Sequence, residues 1–338
     1  MHAENAKFAE VKIYILRFCE RCVKIEINLF NTLSILVITQ NMHKSGFINI
    51  IGRPNVGKST LMNALVGERM SIITSKPQTT RHRILGIVSA TDYQLVFSDT
   101  PGIVANPGYK MHEAMNRFVA TTFEDSDIML FVTDIYDNYE KEGPTVQRLK
   151  GLNVPLFLVI NKIDLATEEQ LLPLIQQWNE WIPFKETIPI SALQKRNTDR
   201  LLQLILDNCP EGPPYYPKDQ LTDKPERFFV SEIIREKILQ QYKKEVPYSC
   251  EVRVESFKED ITNKGEEIIR IEAHIFVNRK TQKPILIGKN GAAIKKLGIA
   301  ARKEIEAFLE KKIYLELIVK IKENWRDDEK YLRSFGYQ

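Results

Sequence analysis

Cysteine is scarce here: four residues in 338, at Cys19, Cys22, Cys209 and Cys250. That density excludes a disulfide framework of the secreted kind. Cys19 and Cys22 form a lone C-x-x-C, and no second ligand pair stands at the spacing a zinc site needs. Strong charge of one sign is also missing. Net charge is only +4, so local clusters carry more information than the total. Long apolar runs are missing too. The longest uncharged stretch, 27–42, is short for a membrane helix and contains Asn28, Asn31, Gln40 and Asn41. A charged start, an apolar middle and a small-residue cleavage site do not occur in signal-peptide order. There is no internal repeat and no low-complexity tract.

What is present is a two-domain length with an ordinary globular balance, 43% hydrophobic and 27% charged. Residues 1–41 are the odd part, because Lys12, Arg17, Glu20, Arg21, Lys24 and Glu26 interrupt their apolar residues. Met42 stands just before the first clear strand. The expectation is that translation starts there; the alternative is a genuine extension that packs on the domain or anchors it.

From Gly46 onward, short apolar runs alternate with amphipathic stretches. Strands are expected at 47–51, 84–88, 93–97, 128–132, 156–160 and 187–190. Helices are expected at 58–66, 109–122, 142–150, 168–178 and 198–207. Such alternation specifies an α/β domain with a mainly parallel sheet, whose ligands bind at the carboxyl ends of the strands. The run Cys209-Pro210-Glu211-Gly212-Pro213-Pro214-Tyr215-Tyr216-Pro217 ends the last helix and makes a linker. Beyond it the pattern becomes a small α+β domain. Helices are expected at 227–242 and 292–309, and strands at 250–257, 267–277, 284–287 and 313–321. The expected division is 1–41 extension or mis-called start, 42–208 nucleotide domain, 209–225 linker and 226–338 second domain.

Gly52-Arg53-Pro54-Asn55-Val56-Gly57-Lys58-Ser59 fits G-x-x-x-x-G-K-[ST], with a strand before it and a helix after it. Backbone N–H groups from Gly52 to Thr60 can point at phosphate oxygens, and the helix N-terminus adds partial positive charge. Lys58 can bridge the terminal phosphates, and the Ser59 hydroxyl can ligate magnesium. Asp99-Thr100-Pro101-Gly102 ends a strand 40 residues later. Asp99 can hold magnesium through a water, and the Gly102 backbone can approach the γ-phosphate. Between them lies Lys76-Pro77-Gln78-Thr79-Thr80-Arg81. A threonine hydroxyl there, Thr80 in preference to Thr79, can complete the metal shell only while γ-phosphate is present.

Asn161-Lys162-Ile163-Asp164 follows an apolar strand. The Asp164 carboxylate can accept from N1–H and the exocyclic amine of guanine together. Adenine has no such donor pair, and leaving buried donors unpaired costs about 1–3 kcal/mol. Asn161 can brace the loop, and the Lys162 stem can lie on the base face. Ser191-Ala192 follows the next strand, where a backbone N–H can reach guanine O6.

These five elements, in this order, resemble the Ras-like GTPase superfamily. The resemblance implies a phosphate-loop fold, GTP hydrolysis and a GDP/GTP switch, with Lys58, Thr80, Gly102 and Asn55 as the groups around the reaction. One position departs. Where Ras has the glutamine that orients the attacking water, this sequence has Ile103. Hydrolysis is therefore expected to be slow alone, or the water is held by backbone, another side chain, a cation or a partner. In GTPases with a similar phosphate loop, an asparagine at the place of Asn55 can ligate potassium. The other reading of Asn55 is that it only stabilises the turn. Magnesium is thus the implied cofactor, with potassium as a second one.

Gly288-Lys289-Asn290-Gly291 follows the expected strand 284–287 and precedes a helix, the placement of the G-x-x-G loop in a KH domain, which clamps a single-stranded backbone. From Ala273 to Lys303 there is no Asp or Glu, but there are eight bases: Arg279, Lys280, Lys283, Lys289, Lys295, Lys296, Arg302 and Lys303. Such a block supplies sequence-independent phosphate attraction. Lys283, Gly288, Lys289, Asn290, Gly291, Lys295 and Lys296 are the expected RNA contacts.

The order of elements is similar to a KH type II domain, and a GTPase domain followed by one resembles the bacterial Era family. Glu245-Val246-Pro247-Tyr248-Ser249, Ile285-Leu286-Ile287-Gly288-Lys289-Asn290-Gly291, Leu315-Glu316-Leu317 and Trp325-Arg326-Asp327-Asp328 carry the likeness, which runs from about Ser45 to Tyr337. It implies a cytoplasmic, monomeric ribosome-assembly GTPase. Its expected partner is small-subunit ribosomal RNA near the 3′ end, on the 30S particle, with peripheral contact at the inner membrane. The alternative is an RNA-binding assembly factor in which GTP is structural and turnover incidental. A third reading, a GTPase acting on transfer RNA, is disfavoured by the type II KH segment and its basic helix. Asn290 departs from the glycine common in that loop, but both clamping glycines remain.

Overall fold

A computed structural model describes residues 43–338 apart from 75, 77, 105, 264 and 338. Cys19, Cys22, Met42 and the reading of the N-terminal segment therefore lie outside the described residues.

The first domain is built on a six-stranded sheet of order β2-β3-β1-β4-β5-β6. In chain order its elements are β1 (Lys44–Ile51), α1 (Lys58–Val66), β2 (Ile84–Ser89), β3 (Tyr93–Asp99), α2 (Lys110–Thr122), β4 (Ile128–Asp134), α3 (Pro144–Lys150), β5 (Leu156–Asn161), α4 (Glu168–Trp181), β6 (Glu186–Pro189) and α5 (Thr198–Asn208). All pairings are parallel except β2 with β3. Every residue of β4 and β5 is buried, as near-continuous apolar strands require when helices cover both faces. One core forms around Leu61, Phe97, Leu130 and Val159. The other forms around Phe131, Leu158 and Trp178 on the opposite face. The carboxyl ends of β1, β3 and β5 thereby bring the phosphate loop, Asp99 and Asn161 to one rim.

The Pro-rich segment after α5 is strapped along the first sheet. Tyr215 and Tyr216 donate their N–H groups to the Gln94 side chain at 2.7 and 2.9 Å, and Ile87 N–H donates to Leu221 O at 2.8 Å.

The second domain comprises α6 (Glu226–Gln241), β7 (Cys250–Ile261), β8 (Glu267–Val277), α7 (Gln282–Ile287), α8 (Ala292–Leu309), β9 (Ile313–Ile321) and α9 (Glu329–Ser334). Its sheet has the order β7-β8-β9, with β8 and β9 parallel. Helices α6 and α8 pack on it through Val230, Ile234, Leu297, Ala301 and Ile305. One expectation is corrected. The run 284–287 is not a strand but part of α7. A short apolar run cannot be typed by periodicity alone, and Pro284 sits in a first helical turn, where no N–H is needed. Gln282, the first helical residue, accepts from the N–H of Arg279 in the preceding turn at 2.9 Å, and Leu286 is buried. Helix α9 was not legible in the sequence. Asp328 caps it by accepting from the N–H groups of Lys330 and Tyr331.

Candidate nucleotide site and RNA-binding loop

The phosphate loop joins β1 to α1 around a cavity of about 410 Å³. Asn55, Gly57, Lys58, Ser59, Thr60, Thr80, Gly102, Asn161, Lys162 and Asp164 all line it. Gly57 has φ +96, and a Cβ there would meet Asn161 Nδ2 at 2.2 Å. No side chain fits between the loop and the base-side asparagine, and the chain can close only with glycine. Lys58 Nζ donates to the carbonyls of Gly52 and Arg53 at 3.0 and 2.9 Å. Burial pushes its pKa down to about 8, against the opposing pull of Asp99 and Asp137. Among the described residues Lys58 makes no direct ion pair, and a triphosphate would supply one.

Ser59 donates its hydroxyl to Asp99 Oδ2 at 2.6 Å, and Thr80 Oγ1 lies 2.9 Å from Ser59 Oγ and 3.4 Å from the same carboxylate oxygen. The three expected metal-holding side chains therefore meet at one point. Thr79 also lines the cavity, but its hydroxyl is engaged with Thr74 and Lys76 O rather than with Ser59 or Asp99. Asp99 Oδ1 is buried with no protein partner among the described residues, and burial raises the Asp99 pKa. A buried, unpaired carboxylate oxygen beside two hydroxyls is a donor set for a hard divalent cation, so the residues fit magnesium. Among the described residues no group of three or more His, Cys, Asp or Glu forms another metal centre.

At the base end, Asn161 Nδ2 donates to Val56 O at 2.8 Å and its Oδ1 accepts from Ala192 N–H at 2.9 Å. Asn161 thus ties the two loops together. Lys162 stands at φ +63 with Nζ on Asp134 Oδ2, 2.6 Å away. Ser191 donates its hydroxyl to Asp164 Oδ1 at 2.6 Å, fixing the carboxylate that faces the cavity. The N–H groups expected to reach guanine O6 are engaged within the protein, Ser191 with Arg196 O and Ala192 with Asn161. Ile72, Ile73, Leu165 and Leu193 also line the cavity, a contribution the sequence reading missed. Leu165 and Leu193 are 58% and 78% exposed, which marks apolar surface awaiting a flat partner. Their signal is their position next to Asp164 and Ala192. Gly102 lines the cavity and packs against Pro54; Ile103 does not line it.

In the second domain, Gly288 ends α7 at φ +73 and a Cβ there would meet Ala293 N at 2.9 Å. Gly291, at φ +75, opens α8 with free space around it. Lys289, Asn290, Lys295 and Lys296 are exposed, and Lys283 is half-buried. None of these four lysines forms an ion pair among the described residues, so their charge is available to an anionic backbone. No helix among the described residues is long and apolar enough to cross a membrane.

Two protein-family models match: "50S ribosome-binding GTPase" over residues 47–162 and "KH domain" over residues 245–326. GTPase Era of Syntrophus aciditrophicus is 48% identical over 297 residues, spanning 88% of this chain and 96% of the relative. The chain belongs to the GTPase Era family. GTPase Era of Clostridium kluyveri is 45% identical over 88% of this chain and 100% of its own. A crystal structure of Era in complex with MgGDPNP and nucleotides 1506–1542 of 16S ribosomal RNA superposes with a TM-score of 0.82. Its identity is 38%, over 87% of this chain and 99% of that one. As a member of the Era family, this chain is a GTPase with a mostly parallel phosphate-loop domain and a C-terminal KH domain.

Proposed function

We propose that this chain is a GTP-hydrolysing switch that binds small-subunit ribosomal RNA near its 3′ end and assists 30S assembly. The observation that carries the reading is one chain holding both a guanine-nucleotide cavity and a basic G-x-x-G loop. The Era relative that superposes over most of its length binds a nucleotide analogue and a 16S RNA segment together. We propose further that the chain works in the cytoplasm as a monomer on the particle, with peripheral contact at the inner membrane.

Asp164, braced by Ser191, selects guanine, while Leu165, Leu193 and the Lys162 stem cover the base. Lys58 and the N–H groups of the phosphate loop hold the triphosphate. Ser59, Thr80 and, through water, Asp99 would hold magnesium, which neutralises charge on the β- and γ-phosphates. Thr80 and Gly102 respond to the γ-phosphate, so the loops that carry them distinguish GTP from GDP. Ile103 can neither donate nor accept, so the attacking water needs another holder. Asn55 beside the phosphates is the residue through which potassium would act.

The apolar Ile103 also supports a second reading, an RNA-binding factor in which turnover is incidental. GTP turnover measured in potassium and in sodium, with and without small ribosomal subunits, separates the two. The switch requires clear stimulation by the subunits, and a catalytic Asn55 requires potassium. No stimulation in either salt would leave only the second reading.

A further inference from the structure

The described residues of 67–83, Thr80 among them, form no helix or strand. Their long-range anchors lie largely in the other domain. Arg81, 2% exposed, donates from Nη1 to Cys250 O at 2.7 Å and to Glu251 Oε2 at 2.9 Å, and from Nη2 to Tyr248 O at 3.0 Å. Tyr337 donates its hydroxyl to the same Glu251 oxygen at 2.8 Å. Burial alone would lower the Arg81 pKa, but Tyr337 and Glu251 more than offset it, so the guanidinium stays charged. Arg235 of α6, fully buried and paired with Glu232, donates from Nη2 to Thr79 O at 2.5 Å. The residues on either side of Thr80 are therefore both fastened to the KH domain. Lys76 adds a third tie, donating to the carbonyls of Leu239 and Tyr242, and the Tyr242 hydroxyl donates to Leu286 O at 2.8 Å, two residues before Gly288.

We propose that Arg81 and Arg235 are positioning residues for Thr80, so that the KH domain braces the γ-phosphate-sensing loop from behind. This rests on the reading of Thr80 given above. An isolated loop would have to order on its own each time GTP binds. Here two buried guanidinium anchors hold its backbone in register with Ser59 and Asp99, which removes that ordering cost. Because Thr80 acts only when γ-phosphate is present, the anchors should matter for the triphosphate state and not for GDP. The Lys76–Tyr242–Leu286 chain gives a physical connection from the same loop to the G-x-x-G turn, so RNA seated there acts on a network that already holds Thr80.

The test compares affinities of the full chain for magnesium-GppNHp and for GDP. Removing either arginine alone would strand a buried carboxylate and endanger folding. The variants are therefore the charge-neutral pairs Arg81→Met/Glu251→Gln and Arg235→Met/Glu232→Gln, with Thr80→Ala as reference and thermal unfolding as a check. The expected result is a loss of GppNHp affinity of about 10- to 100-fold in both pairs, matching Thr80→Ala, with GDP affinity unchanged. If Thr80→Ala loses GppNHp while both pairs retain it, the anchors do not position Thr80. Equal weakening of GppNHp and GDP in folded pairs shows a merely structural role and also overturns the proposal. If Thr80→Ala itself retains GppNHp, the reading of the metal site fails instead, and the proposal falls with it.

Discussion

Ser59 donates to one oxygen of Asp99 at 2.6 Å while the other oxygen of that carboxylate is buried without a protein partner among the described residues. This asymmetry places a cost on the empty site that a bound cation relieves. Asp99→Asn should raise the magnesium concentration for half-maximal GTP hydrolysis by about 10- to 100-fold. It should at the same time raise the melting temperature of the nucleotide-free protein in EDTA. The sign follows from burial: a carboxyl whose folded pKa is raised favours folding when protonated and loses that contribution as pH rises, and Asn mimics the protonated form. A lowered melting temperature would contradict this.

Lys58 gives a pH dependence. Its pKa of about 8 in the folded chain lies below the ordinary 10.5, so its charge opposes folding fully below pH 8. That opposition fades as pH rises from 8 to 10.5. A triphosphate restores its partner and draws the proton back. GTP affinity should be flat from about pH 6 to 7.5 and should fall by up to about tenfold per unit above pH 8. Lys58→Met should bind weakly and show no such slope. Titration calorimetry across this range, in buffers of different ionisation heat, reads both the affinity and the proton uptake.

Asp164→Asn should weaken GTP by about 1–3 kcal/mol, roughly 5- to 150-fold, and shift preference toward xanthosine nucleotides. Ser191→Ala removes only the hydroxyl that fixes Asp164, so a smaller loss with unchanged base preference is expected. Competition binding with GTP, ATP and XTP measures both. An unchanged preference in Asp164→Asn would count against the guanine site.

Gly291→Asp should abolish RNA binding while sparing nucleotide binding. Its surroundings are open, so the added carboxylate meets no clash and repels the phosphate backbone, beside the strain that φ +75 puts on any side chain. Gly288→Asp should have the same effect on RNA, but with local distortion as well, because a Cβ there collides with Ala293. Filter binding of single-stranded RNA beside a nucleotide titration reads the two effects separately.

The parts of the fold and site set by local spacing were legible in the sequence. The phosphate loop, Asp99, Asn161–Asp164 and Ser191-Ala192 each follow a strand within a few residues, so their order along the chain implies their convergence on one rim. The run 284–287 misled because four apolar residues suit a strand or a helix equally, and only the turn before them, held by Gln282 on Arg279 N–H, and the burial of Leu286 decide between them. Contacts between distant residues left no trace. Arg81 reads as a polar loop residue and Arg235 as a helix-surface charge, yet both are buried against the opposite domain. Leu165 and Leu193 look like ordinary loop leucines until the cavity shows what they face.

The central claim is that the nucleotide state is read out as RNA binding. Its most direct test is the affinity of the full chain for a single-stranded RNA matching the 3′ end of small-subunit ribosomal RNA, with magnesium-GppNHp bound and with GDP bound. The account predicts tighter binding in the GppNHp state. Equal affinity in the two states would contradict it.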